Sequence, residues 1–383
     1  MVFLEDARTS RASIGTHAIL KAGRSQCIFS KELQPEVTPN PVVNFITRIL
    51  REERTPKMRD TKQLFQATKK YTEENVLLSW WYVASTTIIL VSLLTLACVG
   101  QFLPLRISAS ILAGFVTTRL FVLYHDFQHH SILNGSKAAR ILFYIFGIVT
   151  LNPPSIWNRT HNHHHKNNAK TFGASIGSYP LMTIESYQKS STKEKIQYAL
   201  SRHPLTIAFG YITIFFYGMC LRSLLTNPMR HLDSALALVV HFGIVAYLAV
   251  YSWEMMLMGV LVPSTIASAL GAYLFYAQHN FPGVKIRDRE DWNYVFAALH
   301  SSSYMKMNPL MHWFSANIGY HHVHHLNARI PFYRLPEAMA GIEELQSPPT
   351  TTLNPADIHR CLRLKLWNVE QAKLVTFREA AAA

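Results

Sequence analysis

Ile318-Gly319-Tyr320-His321-His322-Val323-His324-His325-Leu326 puts four imidazoles into five consecutive positions. Two shorter stretches repeat the theme upstream, His125-Asp126-Phe127-Gln128-His129-His130 and His161-Asn162-His163-His164-His165. The three boxes hold 11 of the chain's 19 histidines, too many in too little sequence for unrelated roles. On a helix, residues three and four apart share a face. His161 is then flanked one turn on by His164 and His165, and His321 by His324 and His325. In the first box His129 shares a face with His125, while His130 swings to the side. Each box can aim two or three imidazoles at one point, and His163 and His322 point elsewhere. A lone histidine is usually a hydrogen-bonded core or surface residue; three boxes of shared spacing indicate metal ligation.

The chain has 383 residues, ample for a sizeable core, and carries 37 Lys and Arg against 23 Asp and Glu, a formal charge of +14. Nucleic acid would be one reason for the surplus. Yet there is no zinc-finger cysteine spacing, helix-turn-helix signal or RNA-binding aromatic motif, so no nucleic acid partner is expected. Long apolar runs lie among the basic segments, which suits an anionic membrane surface. Cys27, Cys98, Cys220 and Cys361 are far apart and indicate neither a disulfide framework nor a thiolate metal site.

Residues 1–75 read as a polar N-terminal cytosolic region, partly disordered, with Pro35, Pro39 and Pro41 as breaks and helices from Val43 to Glu53 and Asp60 to Glu74. Apolar sequence starts only afterwards, so no secretory signal is expected. Leu77 to Val99 is apolar throughout, opened by Trp80-Trp81-Tyr82 at an interface position, and Leu103 to Tyr124 is a second span. Arg106 can snorkel; Arg119 is too deep to do so and should face protein or water. Ile141 to Leu151 is too short to cross and reads as re-entrant or interfacial. Leu236 to Trp253 and Met255 to Gln278 form another hairpin, with Pro263 as a kink and Ser264, Ser268 and Ala272 as a small-residue packing stripe. Leu205 to Leu225 is ambiguous by length. If it crossed, the third box would land opposite the other two, so it should be embedded without spanning.

The expected fold is therefore an all-α integral membrane protein. Four transmembrane helices form two hairpins, with interfacial helices and a cytosolic helical cap carrying the histidines. Residues 76–345 form the membrane domain and 346–383 a cytosolic tail. Both termini, the site, the segment Lys189 to Arg202 and the basic tail with Arg360, Arg363 and Lys365 fall on the cytosolic side.

Imidazole suits zinc, copper, iron and nickel, and eight or nine convergent histidines exceed one ion's needs, which implies two metals. His279, at the end of the fourth span, is a further candidate ligand. Asp126, Asp288 and Asp291 are candidates to hold ligands in place, a solvated or capping role explaining each equally well. A redox pair at the mouth of a membrane bundle suggests oxidation of something apolar.

The boxes His125-x-x-x-His129-His130, His161-x-x-His164-His165 and His321-x-x-His324-His325 resemble those of the membrane fatty acid desaturases, most closely the acyl-lipid (omega-6, delta-12-type) branch. Tyr276-Ala277-Gln278-His279-Asn280-Phe281, Ser302-Ser303-Tyr304, Trp313 to Gly319 and Leu326 to Leu335 are similar to that branch too, so the resemblance spans roughly Leu77 to Glu337. It implies a non-haem di-iron centre that uses dioxygen and two electrons to remove two hydrogens from adjacent methylenes of an acyl chain on a lipid or CoA. The implied metal ligands and catalytic residues are His125, His129, His130, His161, His164, His165, His279, His321, His324 and His325. Related enzymes use only two histidines of the first box, which leaves a choice between His129 and His130. The acyl-CoA branch has an asparagine one turn before its extra histidine; here that position is Phe275. The acyl tail should enter a tunnel among the spans. Gly114, Ser264 and Gly271 are candidates to shape it, ordinary helix packing being the simpler role for each. No H-P-G-G haem motif is present, so a separate ferredoxin, or b-type cytochrome with its reductase, is the implied electron donor. The alternatives are a fatty acyl hydroxylase, epoxygenase or acetylenase on the same scaffold, or a metal transporter. A transporter would keep its ligands near the bilayer midplane, whereas these boxes flank the apolar runs.

Overall fold

Among the described residues, four helices are long and apolar enough to cross a bilayer: α1 (Val76–Val99), α2 (Leu103–Gln128), α5 (Leu232–Tyr251) and α6 (Trp253–Ala277). They belong to a computed structural model that describes residues 59–170, 177–287 and 290–382. The helix expected from Val43 to Glu53, the prolines before it and Asp288 lie outside those residues. The α1–α2 and α5–α6 pairs are hairpins, as the apolar runs predict. Asn75 caps α1 by accepting from the Leu78 N–H, and Pro104 sits in the first turn of α2, where its missing N–H costs no hydrogen bond.

The helices differ in what they bury. Most of α2 is covered, while α1, α5 and α6 turn much of their surface outward. Leu77, Ile88, Val99, Val239 and Val250 are all more than half exposed, a belt that only hydrocarbon would satisfy. Trp81, Tyr247, Tyr251 and Trp253 stand outward near helix ends, at interface depth. Close contacts use small residues. A Cβ on Gly114 would lie 2.7 Å from Ile266 Cβ, so Gly114 of α2 lets α6 approach. In α6, a π-helical stretch at Leu257–Leu261 runs up to Pro263, where the wider turn relieves the clash of the ring with the preceding carbonyl.

Two charges expected at the membrane are both partnered. Arg106 pairs with Glu254 at 2.7 Å and donates to the Ala97 carbonyl, tying the hairpins together at the end away from the histidines. Arg119 is 3% exposed, donates to Thr86 Oγ1 and to the Trp313 carbonyl, and lies among the rings of Tyr82, Trp313 and Phe332.

Between the hairpins, α3 (Lys137–Val149) and α4 (Pro154–Asn167) meet at 93°. Leu151 turns at φ 59° and Asn152-Pro153-Pro154 restarts the helix with Pro154 at its head. The ambiguous segment is broken into Pro204–Ala208, a π-helical Tyr211–Leu221 and Arg222–Thr226, and does not reach membrane-spanning length. Beyond the spans, α7 (His321–Leu326) lies in a cap that also contains two short strand pairs. β1 (Tyr304–Lys306) runs parallel to β2 (Thr350–Thr352), and β3 (Leu366–Asn368) antiparallel to β4 (Lys373–Val375). The segment beyond 346 is built into the body of the protein. Trp367 is buried, Arg202 donates to the Leu364 carbonyl, and Lys365 donates to the Arg202 carbonyl.

Candidate metal centre

Three helices and one helix end converge at a single end of the bundle: the last turn of α2, α4, α7 and the residues following α6. Nine histidines meet there in two groups. His125, His129, His161, His165 and His324 form one, and His164, His279, His321 and His325 the other, with one ring nitrogen from each histidine of a group within 4.8 Å of those of the others. The spacing argument put each box at one point; the structure divides the second and third boxes between the groups. In α4 and α7 the residues four apart (His161 with His165, His321 with His325) stay together, and the intervening His164 and His324 reach across to the other group. The groups therefore interlock, with the His165 and His325 rings stacked 4.4 Å apart.

His130 is the predicted site residue that the fold leaves out. After Gln128 the Ser131 N–H bonds the Asp126 carbonyl and the His130 N–H bonds the Phe127 carbonyl. This Schellman closure puts the residue just past the helix cap in the left-handed region, and His130 has φ 58°. Its ring is thereby turned out to solvent, while His129, still on the helical face, joins His125. His163 and His322 also stand outside both groups; His322 Nε2 faces the Leu345 carbonyl.

The nitrogens have the chemistry of a metal site. The His279 Nδ1 can only donate to the Ser301 carbonyl at 3.1 Å, so its Nε2 keeps a lone pair. That lone pair faces Nε2 of His164 and of His321 at 3.1 and 2.9 Å. His325 Nε2 lies 3.2 Å from His164 and 3.1 Å from His321. In the other group His165 Nε2 stands 3.0 Å from His161 and 3.1 Å from His324. Converging lone pairs need a cation among them. Protons are poor candidates, because burial pushes the His279 imidazole down to about 4 and, with neighbouring imidazoles, holds His129, His321, His324 and His325 far below their ordinary range. Each group fits a divalent metal ion.

Several of these rings are held from behind. Asp126 accepts from His125 Nδ1 at 3.0 Å and, through its other oxygen, from the Phe332 N–H at 2.7 Å, so one carboxylate joins the first box to the sequel of the third. Ser178 Oγ lies 2.6 Å from His164 Nδ1. Asp291 is exposed and stands outside both groups. Ser178 and Ser301 carry no sequence signal. Trp157 does: it precedes His161 by one turn, and its ring lies 4.3 Å from that histidine's.

An apolar cavity opens from this centre into the bundle, lined by His125, His161 and His321 on one side and by Phe121, Phe215 and Gly271 among others. A second, more polar cavity at the cap end of α6 is lined by His164, His279, Lys170, Arg202 and Asn280. The two share Tyr179 and Phe275. Phe275 stands where the acyl-CoA branch has its asparagine, with its ring 4.9 Å from that of His164.

A bundle of membrane-length helices, closed at one end by two buried histidine groups that each suit a metal ion, is the class that fold and site define. The chain belongs to the fatty acid desaturase family, whose sequence profile matches residues 101–352. A fatty acid desaturase of Bacillus subtilis is 31% identical over 78% of this chain and 82% of its own length. A Delta(12)-fatty-acid desaturase of Arabidopsis thaliana is 26% identical over 61% of this chain and 64% of its own, and one of Vernicia fordii is 24% identical over 61% and 65%. The resemblance to the acyl-lipid, delta-12-type branch is thus borne out. The protein is a membrane fatty acyl desaturase, an oxidoreductase acting on fatty acyl chains.

Proposed function

We propose that the nine grouped histidines hold two iron ions and that the protein uses dioxygen to place a double bond in an acyl chain. The observation that carries this reading is the pair of interlocked histidine groups at the mouth of an apolar cavity. The net change removes one hydrogen from each of two adjacent methylenes; dioxygen takes up these two, with two further electrons and two protons, and leaves as two waters. A bound iron pair supplies the activation of dioxygen that breaking an unactivated C–H bond requires. The chain's own residues do the rest. Asp126, Ser178 and the Ser301 carbonyl fix the tautomers and ring orientations of His125, His164 and His279. Phe121, Trp157, Ile214 and Phe215 keep water from the reacting carbons and press the chain against the histidines, and such positioning sets which carbons react. Tyr179 and Phe275 mark the passage from the polar cavity, where the acyl carrier's polar end would lie.

The charge distribution supports a cytosolic site. The helix ends at the histidines carry Lys69, Lys70, Lys137, Lys166 and Arg230, against only Arg106 near the opposite turns. The same basic end would dock a separate ferredoxin or b-type cytochrome. Activity in purified protein with no donor protein or reductant added would rule that donor out. For the reaction itself, lipids of an expressing host should gain unsaturated chains that a His324→Ala variant does not make, with two irons per chain in the wild type. Hydroxylated chains would point to the hydroxylase, and zinc with metal flux to a transporter; an unchanged product in the variant would remove His324 from the site.

A further inference from the structure

Gly271 is a helix-interior glycine with no packing reason to be one. At Gly114, Gly210 and Gly259 a Cβ would meet another helix or side chain at 3.1 Å or less, so at those positions glycine permits contact. At Gly271 a Cβ would meet nothing within 4 Å. A glycine inside a helix is destabilising against alanine, and no close approach offsets that here.

What lies beside Gly271 is space. It lines the apolar cavity that begins at His125, His161 and His321, and also a second, deeper cavity lined by Thr117, Phe146, Tyr211, Ser264 and Ser268. The two cavities share Thr118, Phe121, Phe215 and Gly271, so they meet at those four residues. Three of the four are bulky or branched, and the fourth has no side chain. Ser264, Ala267, Ser268 and Gly271 follow one another along one face of α6, and Ser264 lies thirteen residues from the histidine end, about 20 Å at 1.5 Å per residue. The deeper cavity therefore extends the path from the metal centre toward the bilayer interior.

We infer that Gly271 is the gate of the acyl tunnel, and that the volume at this position sets how many methylenes reach beyond the reacting carbons. This rests on the reading of the apolar cavity as the acyl site. The occupant is an apolar, unbranched segment, since the neck at Gly271 is walled mainly by Phe121 and Phe215. A side chain at 271 would close the neck. Chains with long methyl-terminal segments would then be excluded, or would sit less deeply and react nearer the methyl end. Each methylene denied to the cavity should weaken binding about fourfold.

The test is expression of the full chain as wild type, Gly271→Ala, Gly271→Leu and the lipid-facing control Gly243→Leu, in a host fed saturated acids of graded length. Chain length and double-bond position are read by mass spectrometry. Gly271→Leu should shift preference toward shorter chains on the order of tenfold, or move the double bond toward the methyl end. Gly271→Ala should shift it the same way by a few-fold, and Gly243→Leu not at all. Unaltered length preference and position in Gly271→Leu overturn the gate. So does an inactive Gly271→Leu beside an unaltered Gly271→Ala. A wild type that makes no unsaturated product overturns the acyl reading as well, which separates the two failures.

Discussion

A single backbone torsion decides the difference between His129 and His130. Adjacent in sequence and identical in chemistry, they differ because the right-handed backbone of α2 and its cap runs through His129 and stops there. His129 keeps the helical face that His125 occupies, and His130, at φ 58°, leaves it. Replacing each with alanine should therefore give opposite results. His129→Ala should lose at least tenfold in activity together with part of the bound metal, while His130→Ala should keep both. Lipid profiling and metal analysis of the two proteins check this, and equal losses would contradict the split. The sequence made the first part of this legible, since spacing of four already paired His129 with His125. It could not reveal the division of each later box between two groups. That division depends on how α4 and α7 are rotated against each other, and side-chain spacing within a helix carries no information about its neighbour's rotation.

At the scale of elements, Arg119 links the membrane bundle to the cap. It sits in α2 two turns before His125, yet its guanidinium donates to the Trp313 carbonyl, in the segment that turns into α7. The three aromatic rings around it supply what a carboxylate would elsewhere, at 4.5 to 5.6 Å. Arg119→Met keeps the length and apolar bulk but leaves the Trp313 carbonyl and Thr86 hydroxyl without their donor, at about 1–3 kcal/mol for the buried groups. The expected outcome is a melting temperature lower by several degrees and reduced activity, with metal still bound when the protein is folded. A variant as stable and active as wild type would show the link to be dispensable. The spans themselves were readable from apolar length, and the failure of Leu205 to Leu225 to cross followed from keeping three boxes on one side. The β1–β2 and β3–β4 pairs were not readable, because strands of three residues are too short to show a periodicity, and β1 and β2 come from distant parts of the chain besides. For the same reason nothing in the sequence showed that the final segment is held by Arg202.

Across the whole molecule, the site burdens stability in a way that acid should expose. The buried imidazoles are held neutral: burial lowers His279 from an ordinary 6.5 to about 4, and burial with the neighbouring imidazoles holds His129, His321, His324 and His325 well below 6.5. Unfolded, each would titrate near 6.5. Above that value neither state binds protons at these groups and they place no proton penalty on folding. Below it the unfolded chain takes up protons that the folded chain refuses, so stability falls with pH, by up to about 1.4 kcal/mol per pH unit for each such imidazole. The window opens near 6.5 and, for His279, closes near 4. Bound metal changes the shape of this loss without changing its sign. A ligated nitrogen cannot accept a proton until the ion leaves, so loaded protein should hold its stability to lower pH and then lose it more steeply, releasing metal as it does. Melting temperatures measured from pH 7.5 to 5 on metal-loaded and chelator-treated protein test both halves of the argument. Chelated protein should melt lower at every pH and decline from about 6.5 downward, and loaded protein should decline later. Stability that stayed flat or rose on acidification would mean that these histidines are not buried as neutral rings.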